Sequence, residues 1–199
     1  MENIKSGRRP GSPQTREAIL DAAIEAFTQH GYAGTTIRGV ARAAEVDPAL
    51  VMHFFSSKDG LFDAALRHGG MPVQQLAEAL DGPLESMGER LADRYLALWE
   101  DPTIGPRIRA VVTSVAASPA AAAILKGFML HELALPLVKR LGGDHPEERA
   151  LLAASQLMGL AFARHVIQIE VLTALSRQSL VACVAPSIQR FLTGDLPLR

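Results

Sequence analysis

The chain has 199 residues, 48% of them hydrophobic, 21% charged and 5% aromatic. That is enough apolar material for one or two buried cores, and it excludes a chain that is disordered as a whole. A formal net charge of −1 gives no overall attraction to nucleic acid, and the single cysteine, Cys183, excludes an intramolecular disulfide and fits a reducing cytosol.

Charge is unevenly placed. Residues 1–16 hold Lys5, Arg8, Arg9 and Arg16 against Glu2 alone. Ahead of a DNA-binding motif such an arm lies along phosphates or in the minor groove; otherwise it is a solvated terminus. It leads into an amphipathic helix and not an apolar core, so it does not read as a signal peptide. No uncharged apolar run approaches the length a membrane span needs: the longest, 157–163, stops at Arg164-His165. These features predict a cytoplasmic protein with no membrane partner.

The first helix starts near Ser12 or Thr15, either of which can cap it, and runs to about His30. Ile19, Leu20, Ala23, Ile24 and Phe27 recur at helical spacing as its buried stripe. Glu17, Asp21 and Glu25 face out, and Gly31 ends it. Residues 35–58 then split into two short helices around a tight turn. In the first, capped by Thr35 or Thr36, Ile37, Val40, Ala41 and Ala44 fall on one face, with Arg38 and Arg42 on another. The second opens at Asp47-Pro48, a capping carboxylate before a proline at the first helical position. Leu50, Val51, Phe54 and Phe55 make its apolar side. Pro48, Ala49, Met52 and His53 make a short, nearly uncharged outer side. Two short helices in this order, the second presenting small side chains, are the helix-turn-helix layout. There the N-terminal residues of the second helix meet base edges in the major groove. Ser57 caps a fourth helix with Leu61, Phe62, Ala65 and Leu66 inward.

This stretch resembles the DNA-binding domain of the TetR family of transcriptional regulators. The resemblance is carried by residues 15–23, Phe27, Gly31-Tyr32, Thr35-Thr36, Ile37, Val40-Ala41, Ala44, Val46, His53-Phe54-Phe55, Ser57-Lys58-Asp59 and Leu61-Phe62. It implies an N-terminal three-helix helix-turn-helix domain joined to a larger C-terminal helical ligand-binding and dimerisation domain. It implies a regulator, a repressor released by a small-molecule inducer, that binds a palindromic operator as a homodimer. The DNA-contact set on this reading is Thr35, Thr36, Arg38, Pro48, Ala49, Met52, His53 and Lys58. For Lys58, at a helix start where a cation opposes the dipole, the implied partner is a phosphate. Two residues depart from the family pattern. Glu45 stands where the family usually has a turn glycine, which calls for a left-handed backbone. Met52 stands where the family often has a tyrosine on the DNA backbone.

Gly69-Gly70-Met71-Pro72 is a break, placing domains at 12–70 and 71–199, with the helix-turn-helix at about 36–55. Beyond it, a helical piece at 73–80 leads to helices at about 84–99, 105–117, 119–141, 146–172 and 176–192. Pro136 predicts that 119–141 is two segments meeting near 131–136. With no period-two alternation, the chain reads as all-α, about nine helices in total. Residues 148–172 are apolar on almost every face, which one monomer of this size cannot cover. The last two long helices, about 146–172 and 176–192, therefore predict a four-helix homodimer seam, against the alternative of a central monomer core. Trp99, Phe128, Met129, His131, Met158, Phe162 and His165 are the groups available to line an inducer pocket, although each also suits a packed core.

The histidines, His30, His53, His68, His131, His145 and His165, make no metal spacing, and no catalytic triad or glycine-rich phosphate motif has a supporting context. No cofactor, metal or enzymatic activity is expected. The competing function is a helical ligand-binding or interaction protein on the same fold without operator binding. Glu45, Met52 and the uncharged recognition face are the features that favour it.

Overall fold

The computed structural model describes residues 13–70 and 72–198; Lys5, Arg8 and Arg9 of the basic arm and the Ser12 cap lie outside the described residues. The described residues form eleven helices and no strand. They are α1 (Pro13–Gly34), α2 (Ile37–Ala43), α3 (Pro48–Phe55), α4 (Lys58–Ala65, running into a π turn, Leu66–Gly70) and α5 (Val73–Glu78). There follow α6 (Met87–Glu100), α7 (Ile104–Ala117), α8 (Pro119–Leu141), α9 (Pro146–Ala161, running into a π turn, Phe162–Val166), α10 (Glu170–Ala174) and α11 (Arg177–Thr193). They divide into two compact units, Met1–Gly70 with Ala110–Ile124, and Met71–Arg109 with Leu125–Arg199.

In the first unit the stripe of α1 is fully inward: Ile19, Leu20, Ala23, Ile24 and Phe27 are buried, as are Leu61, Phe62, Ala65 and Leu66. Full burial of one large apolar side chain contributes about 1.5–3 kcal/mol. Phe27, Tyr32 and Phe62 form a ring cluster with centroids 4.8–6.2 Å apart. The expected stop at Gly31 is real: its φ of 65° breaks α1 internally, and the freed Tyr32 amide donates to Ser114 Oγ at 3.0 Å. Thr15 sits inside α1, buried.

The second unit is built on α6, α9 and α11, with Met87, Leu91, Leu96, Leu157, Leu180, Ile188 and Leu192 in its core. α6 and α11 touch at backbone level. The Gly88 amide donates to Gln189 Oε1 at 2.8 Å, and Gln189 Nε2 donates to the Leu84 carbonyl at 2.8 Å. Buried Arg149 ties the start of α9 to the end of α11. It donates to the Asp144 carbonyl (3.0 Å) and carboxylate (3.2 Å), and to the carbonyls of Phe191 (3.2 Å) and Gly194 (2.8 Å).

The proline at 136 acts as expected: two α-helical segments, Pro119–Phe128 and Leu135–Leu141, meet at a π turn, Met129–Ala134, and Pro136 falls in the first turn of the second segment, where its missing N–H is tolerated. Two expectations are corrected. The 146–172 helix is not continuous. It ends at Val166, Gln168 takes a φ of 60°, and a separate turn, α10, follows. The cause is non-local: the buried Arg164 guanidinium donates to the carbonyls of Leu172 and of Leu175, the latter at 2.9 Å, drawing 167–175 back over the helix end. Lastly, α8 is by length and composition apolar enough to cross a membrane, with a mean hydropathy of 1.5. The uncharged-run criterion missed it because Lys126, His131 and Glu132 interrupt the apolar residues. Phe128 and Leu137 of α8 are buried, but only 17% of its apolar stretch is.

Candidate nucleic-acid interface

The helix-turn-helix is assembled from local caps. Thr36 Oγ1 accepts from the Gly39 amide at 3.0 Å and opens α2. Asp47 Oδ1 accepts from the Ala49 amide at 2.7 Å, with Pro48 at the first position of α3. Ser57 Oγ accepts from the Gly60 amide at 3.0 Å and opens α4. Each such cap is worth about 1 kcal/mol. Between α2 and α3 the turn closes through the Val46 amide on the Ala41 carbonyl, 2.9 Å, and Glu45 takes the left-handed φ of 55° that its position implies. A non-glycine residue there costs about 1 kcal/mol or more.

These caps leave α3 with two unlike sides. Val51 and Phe55 are buried and Leu50 and Phe54 half-buried, whereas Pro48, Ala49, Met52 and His53 are exposed. On α2, Arg38 and Arg42 are exposed while Val40 and Ala41 are buried. Arg16 adds a cation the sequence placed only in the arm; its guanidinium lies 5.3 Å from the centre of the Phe55 ring. The open groove between α1 and α2, about 940 Å³, is walled by Asp21, Glu25 and Glu45 against Arg42, a balance that repels phosphate.

Thr35 and Lys58 are less free than their neighbours. Thr35 is buried, and its hydroxyl donates to the carbonyls of Gly31 (2.8 Å) and Ala26 (3.0 Å), so it braces the end of α1. Lys58 Nζ sits 4.4 Å from the centre of the Tyr32 ring and 3.4 Å from the Ala33 carbonyl. Desolvation lowers its pKa, with the Asp59 carboxylate opposing. Tyr32 donates its hydroxyl to Asp59; burial and that carboxylate push the phenol up to about 12. Sequence reasoning gave Asp59 and Ser114 no role, although both fix Tyr32 behind the motif.

The candidate effector residues are dispersed. Trp99 and His165 stack, with centroids 5.3 Å apart and planes at 15°. Tyr95 meets Trp99 edge-on at 6.4 Å. Phe128 is buried in α8, Met129 and His131 lie in its π turn with His131 exposed, and Met158 and Phe162 are exposed on α9. Among the described residues three buried side-chain nitrogens lack a hydrogen-bond partner, and two of them, Trp99 Nε1 and His165 Nε2, belong to the stacked pair. Burial pushes the Tyr95 phenol up to about 12, with the neighbouring Trp99 indole opposing, although that N–H falls short of hydrogen-bonding geometry. Burial lowers the His165 pKa, aided by Arg164 and Arg109 and opposed by Glu100. A depressed histidine pKa favours the neutral folded form. As pH falls below the unfolded value near 6.5, the unfolded chain takes up a proton first and stability is lost. His165→Gln is expected to flatten the urea-midpoint profile below that pH; an unchanged slope would assign it to other groups.

A family profile described as bacterial regulatory proteins, tetR family, matches residues 19–65, and one described as tetracyclin repressor-like, C-terminal domain, matches residues 85–192, more than half the chain. The HTH-type transcriptional regulator BetI of Brucella anthropi is 38% identical over 80 residues, 40% of this chain and 41% of that protein, so the chain spans less than half of that relative's length. A TetR-family regulator of known structure from Streptomyces coelicolor A3 is 31% identical, with a TM-score of 0.65 over 94% of this chain and 99% of that one. The fold is also shared, at 18% identity and a TM-score of 0.65 over 94% of this chain and 99% of that one, with SmeT solved in a complex with triclosan. A helix-turn-helix with an open recognition face, followed in the same chain by the C-terminal domain characteristic of those regulators, makes this protein a member of the TetR family of bacterial transcriptional regulators.

Proposed function

We propose that the protein is a cytoplasmic repressor that binds a palindromic operator as a homodimer and leaves it when a small molecule binds the C-terminal domain. The observation that carries the reading is the outer side of α3: Pro48, Ala49, Met52 and His53 exposed, uncharged and unobstructed, flanked by exposed Arg38 and Arg42 on α2. Small side chains let a helix sit deep in the major groove, while arginines to either side meet phosphates. Residues 12–70 act as the DNA-binding domain and 71–199 as the regulatory one. Thr36, Arg38 and Lys58 take the backbone contacts, and Pro48, Ala49, Met52 and His53 face base edges. Thr35 supports them from inside.

Two reading heads on one dimer meet half-sites about one helical turn apart. The inducer acts by binding more tightly to the dimer arrangement that cannot span that distance. The unpartnered nitrogens of Trp99 and His165 favour this pair as part of the effector site, since a ligand that supplied an acceptor and a donor would remove both desolvation costs. Trp99 is the only tryptophan, so its fluorescence reports ligand titrations directly. That SmeT has been solved with triclosan bound makes small, weakly polar aromatics a reasonable first panel.

Gel-shift titration against the DNA flanking the gene, over a salt series, tests the operator reading. Specific binding is expected to weaken steeply with salt as counterions are released. Arg38→Ala is expected to lower affinity for every sequence alike and to reduce the salt slope by about 1, while His53→Ala changes sequence preference. No preference for any duplex, or an unaffected Arg38→Ala, would favour a ligand-binding module that has lost operator binding.

A further inference from the structure

Lys58 rests on residues outside its own helix. Its ammonium lies 4.4 Å from the centre of the Tyr32 ring and 3.4 Å from the Ala33 carbonyl. Both supports belong to the short piece of α1 beyond the break at Gly31, so the ammonium goes where residues 32–34 go. That piece is pinned on three sides. Phe27 and Phe62 hold the Tyr32 ring, with centroids 6.2 and 5.1 Å away, and Asp59 takes its hydroxyl. The third hold comes from α7, where Ser114 Oγ takes the Tyr32 amide at 3.0 Å. Ser114 is suited to that task. It is 4% exposed, and its own proton goes to the Ala110 carbonyl at 2.7 Å, which leaves the oxygen to accept. A buried amide stripped of its acceptor is costly, so without that oxygen residues 32–34 would shift to find another.

We infer that Ser114 is a positioning residue for DNA binding: by fixing the Tyr32 backbone it holds the Lys58 ammonium where a phosphate of the operator meets it. This rests on the operator reading above, in which Lys58 is a phosphate contact. Among the described residues Lys58 makes no ion pair, so the ring and the carbonyl orient a charge that stays available to a phosphate. Desolvation lowers its pKa, the sign expected of an ammonium kept against the ring instead of swinging in water. Ser114 lies within the stretch matched by the C-terminal profile, residues 85–192, yet it belongs to the same compact unit as the helix-turn-helix. The DNA site therefore depends on a side chain that residues 12–70 lack.

The test is a double-mutant cycle, read by gel-shift titration of the full chain on the DNA flanking its gene over a salt series. Lys58→Ala is expected to weaken binding about tenfold and to reduce the salt slope by about 1. Ser114→Ala should lower affinity and slope in the same sense with sequence preference unchanged. The two together should lose no more than Lys58→Ala alone. Ser114→Cys, close in shape but with a weakly accepting sulfur, should follow Ser114→Ala and replaces it if alanine fails to fold. A readout without DNA is the Lys58 ammonium followed by NMR, which should titrate nearer the ordinary lysine value in either Ser114 variant. A general loosening of the helix-turn-helix would instead add its loss to that of Lys58→Ala. Additive losses, or an unmoved Lys58 titration, overturn the role of Ser114 and leave the operator reading standing, as does a Lys58→Ala that binds like the wild type. A wild type with no preference for any duplex overturns the operator reading and the role of Ser114 with it.

Discussion

Gly60→Ala is expected to melt the N-terminal unit about 15 °C below the wild type while α6, α9 and α11 stay folded. A Cβ at this position would lie 2.2 Å from the Phe55 carbonyl oxygen, the last carbonyl of α3. The obstacle is backbone, so no side chain can swing aside. Either α4 shifts off Ser57, losing its cap, or the end of α3 moves and with it the recognition face. Overpacking of this kind costs about 3 kcal/mol, and in a unit of this size that converts to about 15 °C. Trp99 belongs to the other unit and so gives the control. Circular dichroism should show an early transition that Trp99 fluorescence does not follow, and operator binding should vanish with the early step. A single transition at the wild-type temperature in both signals would refute the expectation.

The second large effect is expected at Arg149. Replacement by methionine keeps the aliphatic bulk and removes every donor, leaving the Phe191 and Gly194 carbonyls without the guanidinium that the native fold gives them. Asp144 is exposed, so the cost lies in the part-buried carbonyls left unpaired, about 1–3 kcal/mol. The urea midpoint should fall accordingly, and Arg149→Lys should recover little, because an ammonium cannot span Asp144 and both carbonyls at once. There is also a pH signature. The hydrogen bond from Arg149 holds the Asp144 carboxyl below its ordinary range. A depressed carboxylate stabilises the fold above its unfolded pKa and loses that contribution as pH falls through the folded value. The wild type should therefore lose stability on the acid side of the ordinary carboxylate range, and Arg149→Met should lack that component. Equal acid profiles for the two would show that the pair is not coupled to folding.

Much of the reading head could be taken from the sequence because its instructions are local. Thr36, Asp47 and Ser57 announce their helices within three residues of the amides they cap. The stripes of α1 and α4 and the two sides of α3 follow from spacing alone. Thr35 shows the limit of that method: one position decides between capping a helix and bracing the previous one, and pattern does not separate them. In the C-terminal domain the instructions are distant. The break at Gln168 depends on Arg164 reaching forward to Leu172 and Leu175 and across to Glu100, 64 residues away in sequence. An apolar run read residue by residue looks continuous there. The stacking of Trp99 on His165 is equally invisible, since nothing near either residue names the other.

The hydroxyl of Ser114 changes what counts as the smallest portable reader. It receives the Tyr32 amide from 82 positions away, and Val111 and Ala121 beside it in the chain are buried as well. Grafting residues 13–70 alone onto a foreign carrier would transplant the helix-turn-helix while orphaning that amide. A faithful graft needs two peptides, the second spanning 110–124, and the gap between them is where a new tether could be spliced.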